Sequence, residues 1–80
     1  MAYYNTFIKF KNLPDFAKAL NMDVVTSTDS VFEAEIRNPQ KTQEVLARIE
    51  CHNPNEEKVA EICIYDRGCA TPQDVKKKYL

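Results

Sequence analysis

Eighty residues with eleven basic and twelve acidic side chains, a formal charge of −1, leave room for one small core and give no overall field to draw in nucleic acid or anionic lipid. With 44% apolar and 29% charged residues, one glycine and four prolines, the composition excludes low-complexity and disordered classes and predicts one small folded domain over residues 1–80. The opening MAYYNTFIKFK has no apolar run of signal-peptide length, and no later stretch reaches the roughly 18 apolar residues of a membrane span, so the expectation is a cytoplasmic protein without a membrane partner. Cys51, Cys63 and Cys69 are odd in number and lack CxxC spacing, which reads as reduced thiols in such a compartment.

In chain order, residues 3–11 (YYNTFIKFK) alternate, with Ile8 and Phe10 on one face and Phe7, Lys9 and Lys11 on the other. Their aromatic and β-branched content predicts a first strand. Asn12 or Leu13 leads into Pro14 and Asp15, a helix start, and Leu13, Phe16, Ala17 and Leu20 make a stripe at helical spacing. DVVTSTDSVFEAEIR predicts a hairpin: Val24 and Val25 in one arm, STDS as the turn, and Val31 to Arg37 in the other arm. There Phe32, Ala34 and Ile36 alternate with Glu33, Glu35 and Arg37, so one face is buried and the other wet.

Two periods fit NPQKTQEVLARIECH. The favoured one is a helix, with Asn38 as cap, Pro39 in the first turn and an inward stripe of Val45, Leu46 and Ile49. In the rival strand Val45, Ala47, Ile49 and Cys51 alternate, and a hairpin sets Arg37 opposite Glu44 and Glu33 opposite Arg48. KVAEICIYD predicts a strand, with Ile62 and Ile64 facing one way and Cys63 and Tyr65 the other; a helix over 55–67 capped by Gly68 is its rival. TPQDVKKKYL predicts a last helix opened by Thr71, Pro72 and Asp74 and docked through Val75 and Tyr79. Asn38, Asn53 and Thr71 each precede a proline and read as helix or turn punctuation, not as a repeat.

The predicted class is α+β, a ferredoxin-like βαββαβ sheet with an added C-terminal helix; the alternative is an antiparallel β-meander with two or three short helices. The expected core is Ile8, Phe10, Leu13, Phe16, Leu20, Phe32, Ala34, Ile36, Val45, Ile49, Ile62 and Ile64.

IKFKNLP resembles the first ribonucleoprotein signature of RNA-recognition motif domains over six residues. That resemblance implies bases stacked on an open sheet. Lys9 stands where the family places the stacking aromatic. The second signature falls on DSVFEAEIR, which has no glycine and presents Glu33 and Glu35. Carboxylates in the middle of such a face repel phosphates, and in the predicted fold Lys9 and Lys11 face Glu33 and Glu35 as cross-strand pairs of about 0.2–1 kcal/mol each. Nucleic acid is therefore not the expected partner of this face.

Cys51, His52, Cys63 and Cys69 fit no zinc-site spacing, and the single histidine has no sequence-placed nucleophile, so neither metal, cofactor nor catalytic residue is expected. What is left is a small non-catalytic interaction domain, an accessory or inhibitor protein of the kind phages also encode. Phe7, Lys9, Glu33, Glu35 and Tyr65 on the open face would touch the partner protein. Lys76, Lys77 and Lys78 are candidate anion contacts: residues 68–80 carry one acid and three bases, whereas residues 29–67 carry nine acids and five bases. The alternative function is nucleic-acid binding by this basic helix, and an exposed edge strand would also allow a homodimer.

Overall fold

The computed structural model describes residues 2–56 and 58–80, which form β1 (Tyr4–Lys9), α1 (Leu13–Ala19), β2 (Asp23–Ser27), β3 (Val31–Asn38), β4 (Lys41–His52), β5 (Val59–Ile64) and α2 (Pro72–Tyr79). The strands make one five-stranded antiparallel sheet in the order β1-β5-β4-β3-β2. β2 to β5 follow one another as a meander. α1 then carries the chain from β1, at one edge, to β2 at the other.

This corrects the ferredoxin-like expectation. Residues 41–52 are the longest strand, not a second crossover helix, and β1 lies beside β5 at an edge instead of beside β3. The reason lies at Asn38. Its side chain does not cap a helix: Oδ1 accepts from Gln40 N–H at 2.9 Å, and Nδ2 donates to Glu44 Oε1 at 3.0 Å. An Asn-Pro pair serves a turn as readily as a helix start, because asparagine bonds backbone two residues on and proline presets φ for either. With Asn38 opposite Lys41, the segment to Glu44 is stitched by these bonds and by Arg37 Nη1 to Thr42 O at 2.8 Å. Regular pairing resumes at Arg37 and Val45, followed by a bulge at Leu46 that leaves Ala47 opposite Ile36. The register accordingly differs from the rival hairpin: Arg48 sits opposite Glu35, and Glu33 faces Glu50.

Two local signals act as the sequence predicts. Asn12 Oδ1 accepts from Asp15 N–H to start α1, and Thr71 and Asp74 form a reciprocal capping box on α2. Asn21 takes a left-handed φ of 60° after α1, with its N–H on Lys18 O and that of Met22 on Ala17 O, so the last carbonyls are satisfied.

The helices cover one face of the sheet. Phe32, Ala34 and Ile36 of β3, Ile49 and Cys51 of β4, and Ala60, Ile62 and Ile64 of β5 are buried with Leu13, Ala17 and Leu20 of α1 and Val75 of α2. Full burial of each larger aliphatic side chain stabilises the fold by about 1.5–3 kcal/mol. Val45, expected in this core, instead shares the open side with Arg37; the bulge turns Leu46 and Ala47 inward in its place.

Candidate open-face binding site

Strand alternation places Tyr3, Asn5, Phe7 and Lys9 beside β5 on the uncovered face, then Val59, Glu61 and Cys63, then Arg48, Glu50 and His52, then Glu33, Glu35 and Arg37. Directly opposed residues form rows. One runs Phe7, Glu61, Glu50, Glu33 and Thr26 across all five strands; the next runs Asn5, Cys63, Arg48, Glu35 and Asp23. Three carboxylates therefore stand side by side on β5, β4 and β3.

Arg48, on the middle strand, holds that row together. Its Nη2 pairs with Glu33 and, at 3.0 Å, with Glu50 Oε2, while Arg37 pairs with Glu35 two residues along its own strand. His52 Nε2 lies 3.2 Å from Glu50 Oε1. Among the described residues Glu61 has no basic partner of this kind; it accepts from Asn5 Nδ2 at 3.0 Å, and the same amide reaches Cys63 Sγ at 3.2 Å. Burial, then the Glu61 charge, pushes the Cys63 thiol up; burial, then Cys63, pushes the Tyr65 phenol up.

The apolar part of the face lies toward β1. Phe7 is 69% exposed, Tyr3 58% and Val59 39%, with the Arg67 guanidinium 5.1 Å from the centre of the Tyr3 ring. Tyr65 is half-buried, its N–H on Leu46 O at 2.9 Å, and lines a shallow depression with Tyr3, Val45, Arg48, Glu35 and Glu44.

Of the sequence-nominated contacts, Phe7, Lys9, Glu33, Glu35 and Tyr65 all lie on this face, but the pairing that linked them is wrong. Lys9 stands opposite Val59 at the β1 edge, with β5 and β4 between it and Glu33. The acids are matched by Arg48 and Arg37. The helix expectation for residues 39–51 hides Arg48 and Glu50 from this face, and Glu61 joins them from β5; the alternation of Ala47, Ile49 and Cys51 with Arg48, Glu50 and His52 is the sequence signal that reveals the strand.

The basic tail is not one patch. Lys78 Nζ bonds Asp66 Oδ2 at 3.0 Å, beside Tyr79 OH to Oδ1 at 2.8 Å and Cys69 Sγ to Oδ2 at 3.1 Å. These three donors hold the Asp66 carboxyl down at about 2, and burial with the Asp66 contact lifts Cys69 to about 11. Gly68 allows the close approach, since a Cβ there would stand 3.2 Å from Lys78 Nζ. Lys76 and Lys77 fan away by about 100° per residue. The former zinc candidates separate likewise: Cys51 is in the core, His52 and Cys63 on the open face, and Cys69 under α2, and among the described residues no three His, Cys, Asp or Glu side chains are grouped to hold a metal ion. No helix among the described residues is long and apolar enough to cross a membrane.

No protein-family model, curated protein or solved structure matches the chain.

Proposed function

We propose that the protein is a small non-catalytic interaction domain, an accessory or inhibitor protein, that captures a partner protein on its open sheet face. The observation behind this reading is the division of that face. Phe7, Val59 and Tyr3 lie exposed on the β1 side although the core makes no use of them, and a row of glutamates stands beside them. Aromatic anchors next to a row rich in carboxylates suit protein recognition, where a few large side chains supply affinity and the charges select the partner. The carboxylates favour a basic partner surface. They disfavour RNA on the same face, since phosphates would meet Glu61 and Glu50 first.

The test compares wild-type and Phe7→Ala/Tyr65→Ala baits in affinity capture from the native host, with circular dichroism to show that both are folded. A protein retained by the wild type and lost from the variant, and eluted by raised salt, supports the reading. Identical captures from both baits refute it. Nucleic-acid binding by α2 has less support, because Lys78 is engaged by Asp66; a flat titration with single-stranded DNA at low salt removes it.

A further inference from the structure

The two edges of the sheet differ. β2 carries a register shift between Val24 and Thr26 and begins with Asp23, and bulges and charges are the devices that stop an edge accepting another strand. β1 runs from Tyr4 to Lys9 in unbroken register with β5, with no proline, bulge or acid. Phe10 N–H donates to Lys58 O at 3.1 Å, which fixes the phase of the ladder. Even-numbered residues of β1 turn their backbone groups toward β5, so those of Asn5, Phe7 and Lys9 point outward, where no strand lies among the described residues.

We propose that the protein self-associates by antiparallel pairing of β1 with β1 of a second copy, about a two-fold axis at Thr6, joining two five-stranded sheets into one. Outward groups must meet outward groups and like faces must adjoin, so odd residues oppose odd residues; the axis then falls on Thr6 or on Phe7. The Thr6 register sets Tyr4 against Ile8 of the partner subunit. Ile8 borders an apolar groove formed with Phe16 and Leu20 of α1 and Pro72 of α2, and Tyr4, 47% exposed in one copy, covers its mouth in the other. Lys9, the only charge in β1, falls at opposite ends of the paired strands in the two copies, so the two ammonium groups stay apart. The Phe7 register instead sets Tyr4 on Phe10, whose ring already carries the Lys58 ammonium at 5.9 Å. Parallel pairing would need a two-fold along the strand, which sets the open face of one copy beside the helix-covered face of the other.

The choice of a second copy rests on this self-complementarity: the exposed Tyr4 ring at one end of the strand answers the apolar groove beside Ile8 at the other. The edge is short, so the interface falls in the weak class below about 1,200 Å² and the dissociation constant in the range of about 10 µM to 1 mM. This pairing uses the strand's edge and is independent of whether the open face holds a partner.

Sedimentation equilibrium of the full chain, from about 5 µM to about 1 mM, should show the mass rise from 9.2 kDa toward twice that value. Asn5→Pro removes one outward N–H and no β1–β5 backbone bond, and should stay monomeric with an unchanged far-ultraviolet spectrum, whereas Asn5→Ala, which loses only the amide bonds to Glu61 and Cys63, should still associate. In a Cys63→Ser background, Thr6→Cys should link into a disulfide dimer on oxidation, because a non-hydrogen-bonded pair brings the Cα atoms to about 4.5 Å, while Phe7→Cys should not. A mass fixed at 9.2 kDa throughout, association retained by Asn5→Pro, or linkage through Phe7→Cys in place of Thr6→Cys would overturn the proposal.

Discussion

Replacing Arg48 with methionine keeps most of its stem and removes the charge that the row of glutamates depends on. Glu33, Glu50 and Glu61 sit directly opposite one another on adjacent strands, which are about 4.8 Å apart. Two unit charges at about 5 Å repel by about 3 kcal/mol at an effective dielectric of 20 and by about 0.8 kcal/mol in bulk water. The Arg48 side chain is 39% exposed and that of Glu50 32%, which places the site toward the watery limit. The expected loss is then about 1–2 kcal/mol. With an unfolding entropy near 2.1 cal/mol/K per residue, that lowers Tm by about 6–12 °C in a chain of this length. Thermal unfolding followed by circular dichroism at pH 7 and low salt reads the shift directly. In 1 M salt, where the screening length is about 3 Å, most of the loss should disappear. Adding Glu50→Gln should restore at least half of it by taking the middle charge out of the row. An unchanged Tm at low salt, or a loss equally large at 1 M salt, would show that the carboxylates are not arranged in this way.

Asn38→Ala should cost about 1–3 kcal/mol in urea unfolding, since it strips two bonds from the stitched segment, and an unchanged midpoint would show that these bonds do not hold it. Ile49→Ala, at a site with no exposure, should cost about 2–5 kcal/mol, a large fraction of the stability of so small a domain. Asp66 is held at about 2, below its ordinary value of 3.8, so its contribution is complete above pH 4 and lost as pH falls toward 2. Asp66→Asn should therefore flatten the decline in urea midpoint over that window, and an identical slope would contradict the Asp66 contacts. A thiol reagent at neutral pH should modify Cys63 slowly and well ahead of Cys69, which becomes reactive only on unfolding.

Local chemistry along the chain was readable where one signal acted alone. The Phe32, Ala34, Ile36 alternation defines β3, the Thr71-Pro72 start defines α2, and Val75 docks it, all as the residue pattern dictates. Residues 38–52 carried two signals of comparable strength. Helix formers such as Gln43, Glu44, Leu46 and Ala47 competed with an inward set of Ala47, Ile49 and Cys51, and tertiary pairing with β3 and β5 decided the outcome. Sheet order was less legible still. Nothing local in YNTFIK states whether β1 joins β3 or β5, because both offer an apolar face of the same period. That is why the five nominated face residues share one surface while the Lys9–Glu33 pairing does not exist. Alternation determines which side a residue faces; strand order determines its neighbours.

Both the open-face site and the edge pairing depend on β1 lying beside β5. Nuclear Overhauser effects between α-protons report this directly, since they are strong only in non-hydrogen-bonded antiparallel pairs. The account predicts them between Asn5 and Cys63 and between Phe7 and Glu61. Contacts from Phe7 or Lys9 to Glu33 or Glu35 in their place would contradict it.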